Sequence, residues 1–237
     1  MDGLIALGGI LAMLLAVGGL IGGADRRHFR FGWLLVAAGL VAIDDAMLTR
    51  FYGSLPDWLP GERNWQGKLM ALAATLAIAA LPAFGWRRLG LTLAQAPGSL
   101  RSGLAVSAIY CAIFLGLAAV FPNDPPQVEN TAFQLTMPGL QEEPFYRGVL
   151  LFALDRAFTG RVRMLGIDWG WGAILSSLLF GLAHAFSYGA EGFSLDPLTL
   201  LLTGGPALIA VWVRVRTGSV LLPILMHDFG NTVLQLY

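Results

Sequence analysis

Three short stretches of this 237-residue chain carry side chains that together can hydrolyse a peptide bond. The first contains Glu142 and Glu143, the second contains His184, and the third contains His227 and Asn231. Glu142 can take a proton from a water molecule that His184 helps to hold and polarise. His227 and Asn231 can donate hydrogen bonds to the oxyanion that forms when water attacks a carbonyl. These residue types therefore indicate water attack on an amide.

The spacing of residues in the first stretch indicates different roles for its two glutamates. Glu143 and Arg147 are four residues apart with the acid first, which is the favoured orientation for an ion pair on one helix face. Glu142 lies about 100° around the helix and lacks this partner. We therefore expect Glu143 to be structural and Glu142 to be chemical. Pro144 is expected in the first turn of this helix, where a missing N–H is not needed.

Other hydrolytic chemistries fit the sequence less well, but a metal mechanism stays open. No serine lies in a G-x-S-x-G motif, and Cys111 has no neighbouring base. The zinc motif H-E-x-x-H is absent. Glu142, His184 and His227 nevertheless form a set that could hold Zn²⁺ with one open position for water. The sequence thus requires no cofactor and leaves zinc as an alternative.

Composition identifies the elements that must position these residues as membrane helices. The chain is 56% hydrophobic and only 13% charged, whereas soluble domains carry about 25% charged residues. Lys plus Arg and Asp plus Glu both total 15, so no basic excess supports nucleic-acid binding. We predict an all-α, polytopic bundle of about eight transmembrane helices forming a single domain over residues 1–237, with the catalytic motifs in 141–231. The predicted spans cover about 4–22, 31–49, 69–85, 104–121, 140–158, 169–188, 198–213 and 220–237.

Loop charges predict how this bundle lies in the bilayer. Arginines follow spans one, three, five and seven, whereas the loops after spans four and six contain only Asp124, Glu129, Glu191 and Asp196 as charged residues, and the loop after span two is mixed. The positive-inside rule then places odd-numbered loops in the cytoplasm and the polar motifs in the outer half of the membrane. We therefore expect a multi-pass protein of the cell (plasma) membrane whose substrate is a membrane-associated or exported protein or peptide.

Asp44, Asp45 and Asp228 lie within the predicted spans but are not among the side chains assigned to hydrolysis. Asp44 and Asp45 in span two are expected to be structural, paired with Arg50, Arg147 or a histidine. Asp228 is expected to orient a histidine or to pair with an arginine. The rival interpretation is a membrane transporter or proton-relay protein that uses the buried Glu, His and Asp side chains. It predicts paired broken helices and an inverted repeat, and the sequence has neither.

The order of the polar motifs on the late spans resembles that of a known family. This is the CAAX protease and bacteriocin-processing (CPBP) family of intramembrane endopeptidases, also called the Abi family. The resemblance covers about residues 141–231. The motifs are Glu142-Glu143-x-x-x-Arg147, Phe180-x-x-x-His184 and His227-x-x-x-Asn231.

The resemblance implies a fold and a set of roles. It implies an eight-helix bundle around a water-accessible cavity, with Glu142 and His184 activating water. It also implies that His227 and Asn231 stabilise the oxyanion, while the ion pair of the first motif and Phe180 support the site. The family has been described both as metalloproteases and as glutamate proteases, so the resemblance leaves the metal open.

Overall fold

The computed structural model describes residues 1–121 and 127–235 and is a bundle of apolar helices. Within these described residues, four helices are long and apolar enough to cross a membrane, which agrees with the predicted all-α, polytopic membrane bundle. Asp124 lies outside the described residues. A 3-10 turn (Arg26–His28) follows the first helix, and a π-helical turn (Pro144–Leu150) connects α7 to α8. The helices are α1 (Asp2–Ala24), α2 (Phe31–Leu48), α3 (Arg50–Gly53), α4 (Trp65–Ala80), α5 (Leu100–Val120), α6 (Val128–Gln134), α7 (Met137–Glu143), α8 (Leu151–Ala157), α9 (Trp171–Ala185), α10 (Pro197–Thr217) and α11 (Leu221–Val233).

Two short antiparallel hairpins join the late helices. Strands β1 (Val162–Met164) and β2 (Ile167–Trp169) connect α8 to α9, and strands β3 (Phe186–Gly189) and β4 (Gly192–Leu195) connect α9 to α10. The sixth predicted span extends to residue 188, but α9 ends at Ala185 because the chain continues as β3. His184 consequently lies in the last turn of its helix.

Helix α4 begins earlier than the sequence predicts. The Asn64 side chain accepts the N–H of Gly67 at 3.1 Å, so it caps a helix that begins at Trp65 and not at about residue 69. A Cβ on Gly67 would lie 2.2 Å from the carbonyl oxygen of Leu48, so glycine permits the close approach of α2 and α4. Lys68 therefore lies inside the helix, whereas the predicted span begins after Lys68 and contains no charged residue.

The fifth span begins earlier and is less regular than predicted. It begins at Met137 with Pro138 in its first turn, so Glu142 lies in the second turn and not in the first. Pro144 therefore lies inside the span, where its ring and its missing N–H disturb α-helical bonding to the preceding turn. The backbone widens into the π-helical turn at this residue, as often happens beside functional sites.

This fifth span is the centre of the bundle. Every residue from Gln141 through Leu151 is buried, and the span contacts α2, α4, α9 and α11. The outer helix faces instead expose large apolar side chains such as Leu20 and Ile109. Lipid tails can cover such faces, because they are as apolar as the side chains that they contact. Polar residues of the fifth span are therefore held away from lipid.

Helix α11 anchors the start of α7 through an unexpected contact of Asp228. The sequence predicts that this carboxylate pairs with an arginine or orients a histidine, but its Oδ1 accepts the N–H of Gly139 at 2.8 Å. The first N–H groups of a helix have no partner within it, so Asp228 satisfies one of them. This contact fixes the helix that carries both glutamates.

We expect Gly139→Ala to destabilise the bundle, because a Cβ there would lie 2.6 Å from both Asp228 Oδ1 and the carbonyl oxygen of Ile224. Overpacking of this kind typically costs about 1–3 kcal/mol. Thermal unfolding in detergent measures the loss. Gly39→Ala in α2 is the matched control, because nothing lies within 4 Å of its added Cβ. Equal unfolding temperatures for the two variants would contradict the close α7–α11 contact.

Candidate active site

The side chains that the sequence singles out line one cavity of about 560 Å³. These side chains come from the fifth span, α9 and α11. The cavity lies at the end of the bundle that carries the second, fourth and sixth loops. The N-terminal part of α4 and the C-terminal part of α5 line the same cavity through Lys68 and Phe114. The structure therefore brings the three motifs together. The predicted residues in the lining are Glu142, Glu143, Arg147, Phe180, His184, His227 and Asn231.

Glu143 is the centre of a buried ion-pair network. Its Oε2 lies 3.0 Å from Nε of Arg147, and both side chains are at most 2% exposed. Its Oε1 accepts a hydrogen bond from Nδ1 of His227 at 2.8 Å, a contact that the sequence does not predict. The carboxylate therefore fixes the orientation of the His227 ring. Nε2 of that ring is left for the cavity.

Phe180 packs between the ion pair and the imidazoles. The guanidinium carbon of Arg147 lies 4.4 Å from the centre of the Phe180 ring, a cation–π contact. The same ring meets His227 edge-on at 5.7 Å between ring centres and lies 4.7 Å from the ring of His184. Nδ1 of His184 donates to the carbonyl oxygen of Phe180 at 2.8 Å, which leaves its Nε2 for the cavity.

Glu142 has a partner that the sequence analysis missed. We expected an unpaired carboxylate, but its Oε1 forms an ion pair with Nζ of Lys68. The other oxygen, Oε2, is buried and accepts no hydrogen bond within residues 1–121 and 127–235. It lies 3.7 Å from Nε2 of His227. That separation exceeds a hydrogen bond but is within ion-pair distance, so a water that contacts both atoms would lie to one side of them, in the cavity.

The acidic pair in α2 has partners other than the predicted ones. Asp44 Oδ1 accepts a hydrogen bond from Nε2 of Gln141 at 2.9 Å. Asp45 accepts a hydrogen bond from the Tyr52 hydroxyl. Arg50, a predicted partner of both, instead forms an ion pair with Asp57. Asp44 is thus connected to the residue that precedes Glu142.

Helix α6 connects Asn231 to the start of α4. Nδ2 of Asn231 donates to Oε1 of Gln134 in α6 at 3.1 Å. Glu129, on the same helix, accepts the backbone N–H groups of Glu62 and Arg63 at 2.9 and 3.1 Å. These backbone hydrogen bonds lower the pKa of Glu129, which lies outside the membrane-spanning segments. The amide of Asn231 is therefore held in place from a helix that the motifs do not include.

The zinc alternative finds little support in the arrangement of donors. Across the described parts of the chain, no three His, Cys, Asp or Glu side chains are grouped closely enough to hold a metal ion. One oxygen of Glu142 already contacts the Lys68 ammonium, which would repel a cation beside it. The residues present do not fit a His₂Glu zinc site, so no catalytic step is derived through a metal.

Comparison with known proteins gives one match. Residues 124–233 match a family model described as "Rce1-like: Type II CAAX prenyl endopeptidase Rce1-like". The matched region is 110 residues of 237 and includes α6 through α11, with all three motifs. Neither a curated protein nor a solved structure matches the chain. The match confirms the resemblance drawn from the motifs and indicates a peptidase.

Proposed function

We propose that this integral membrane protein is an intramembrane endopeptidase of the glutamate type, and the match of residues 124–233 to the CAAX prenyl endopeptidase model supports this. A single observation carries the proposal. Glu142 lines the cavity, its buried Oε2 accepts no hydrogen bond from the described residues, and Lys68 holds the other oxygen. A general base needs such an oxygen within reach of a water molecule.

The side chains suggest the following course of hydrolysis. Glu142 takes a proton from a water that reaches its Oε2 from the cavity, and the resulting hydroxide attacks the scissile carbonyl carbon. Nε2 of His227, whose ring carries a proton on both nitrogens in this step, and Nδ2 of Asn231 donate hydrogen bonds to the oxyanion as it forms. His184 orients the water through its Nε2. When the C–N bond breaks, the proton held by Glu142 passes to the leaving amine.

The substrate that we propose is an extended segment of a membrane-associated or exported protein or peptide. Tyr110 and Phe114 add an apolar wall to the cavity, which suits a segment that enters from the membrane. At the end of the bundle nearest the cavity, the loops after the fourth and sixth spans carry only acidic charges and the loop after the second span carries both signs, whereas most arginines lie at the opposite end. This charge bias favours the outer face of the plasma membrane over the cytoplasmic face.

Cleavage of two internally quenched peptides by the detergent-purified protein tests this function. One peptide ends in a farnesylated cysteine and three further residues, and the other has the same sequence without the farnesyl group. We expect cleavage of both, because the proposed substrate needs no prenyl group. Cleavage of the farnesylated peptide alone would contradict the proposed substrate class, and cleavage of neither would contradict the function.

We expect a chelator to leave the cleavage rate unchanged, because the donors around Glu142 do not form a metal site. The purified protein is incubated with 1,10-phenanthroline and assayed with whichever peptide it cleaves. The control is 1,7-phenanthroline, which has a similar shape but does not chelate. Loss of activity that Zn²⁺ restores would overturn the glutamate mechanism and leave the peptidase function intact.

A further inference from the structure

We propose that Lys68 is a positioning residue for Glu142, and that Gln141 and Asp44 hold it in place. The inference rests on the proposed function and adds to it a cation from outside the matched region. Lys68 lies in α4 and Asp44 in α2, whereas the family match begins at residue 124. The N-terminal half of the bundle would then complete the active site and not merely surround it.

Continuous polar contacts connect these residues across three helices. Nζ of Lys68 donates to Oε1 of Gln141 at 2.9 Å and to Oε1 of Glu142. Nε2 of Gln141 donates to Oδ1 of Asp44 at 2.9 Å. Gln141 is fully buried, Asp44 is 5% exposed, and the Lys68 side chain is 12% exposed. Asp44 thus fixes the amide of Gln141 with its carbonyl oxygen toward the ammonium.

Lys68 supplies the second cation that two adjacent buried glutamates require. An unpaired buried carboxylate is strongly unfavourable, and Arg147 can pair with only one of the two glutamates. Arg147 pairs with Glu143, and Lys68 pairs with Glu142. Because Lys68 binds Oε1 alone, Oε2 is left for water on the side of His227. The pairing therefore both retains the charge and selects the oxygen that reacts.

Lys68 is the only lysine of the chain, so a measurement specific to lysine reports on this residue alone. A merely structural tie between α4 and α7 would affect folding, while a positioning residue affects the chemical step. The two roles differ in how kcat and KM respond. They also differ in whether arginine, which retains the charge, restores the rate.

The test compares Lys68→Met, Lys68→Arg and the wild-type chain with the quenched peptides described above. We expect Lys68→Met to lower kcat about 10- to 100-fold, as is typical for residues that orient a catalytic group. KM should be nearly unchanged, and Lys68→Arg should recover part of kcat. Arg163→Met is the matched control, because it removes an exposed ion pair with Asp168 in the β1–β2 hairpin. That variant should cleave like the wild type.

Asp44→Asn tests the second contact. It should lower kcat by less than Lys68→Met does, and the double variant should be no slower than Lys68→Met alone, because both act through one ammonium group. Losses that multiply would overturn the part assigned to Asp44. A kcat of wild-type size in Lys68→Met, alongside an inactive Glu142→Gln, would overturn the role of Lys68 and leave the peptidase function standing. A wild-type chain that cleaves neither peptide would overturn both.

A spectroscopic measurement checks the contacts without depending on activity. Protein labelled with ¹⁵N-lysine should give one side-chain Nζ resonance, because the chain has a single lysine. We expect this resonance to shift in Glu142→Gln and in Asp44→Asn, and to stay in place in Arg163→Met. A resonance that none of these changes moves would contradict the network.

Discussion

Glutamine in place of Glu142 is expected to abolish peptide cleavage while the protein stays folded. Glutamine keeps an oxygen that can accept the hydrogen bond from Lys68, but it cannot take a proton from water. General-base catalysis typically contributes about 10²- to 10⁴-fold, so a loss of this size is expected in kcat. Cleavage of the quenched peptides under single-turnover conditions measures the chemical step directly.

A second glutamate provides the control for this variant. Glu191 lies in the exposed turn between β3 and β4, so Glu191→Gln makes the same chemical change away from the cavity. It should cleave like the wild type. Thermal unfolding of both variants near the wild-type temperature would show that the loss is chemical. Cleavage by Glu142→Gln at the wild-type rate would end the assignment of Glu142 as the base.

Much of this fold follows from hydropathy, because a bilayer imposes the length of each span. The predicted positions of α1 and α2 agree with the structure to within about two residues. The helix ends that differ are set by local chemistry that hydropathy does not contain. Asn64 caps α4 early, and Pro138 begins the fifth span early while Pro144 widens it. Whether the chain forms a single domain stays a prediction.

In the candidate site too, contacts between residues close in sequence could be predicted, whereas contacts between residues far apart in sequence could not. Four-residue spacing shows that Glu143 can pair with Arg147, since both lie on one helix. It does not show that Lys68 meets Glu142, because 74 residues and several loops separate them. Asp44 is 97 residues from Gln141. The one available signal was the cost of a lone lysine near an apolar segment, which implies a buried partner.

Removing the guanidinium of Arg147 should have the largest effect on stability. Arg147→Met leaves Glu143 buried without its cation and also removes the cation–π contact with Phe180. Breaking a buried ion pair from one side typically costs about 3–5 kcal/mol. Chemical unfolding in detergent measures this free energy. Arg163→Met, in an exposed ion pair, should lose no more than about 1 kcal/mol.

A double variant separates the stability of the Glu143–Arg147 pair from its use in catalysis. Glu143→Leu added to Arg147→Met removes the uncompensated charge, and replacing a whole buried pair with apolar residues is often neutral or stabilising. We therefore expect the double variant to be more stable than Arg147→Met. Activity should stay low, because Nδ1 of His227 has lost the carboxylate that orients its ring. A double variant that regains both stability and cleavage would contradict the catalytic part of this assignment. Glu143 would then contribute only to stability, and His227 would bind the oxyanion without being oriented by Glu143.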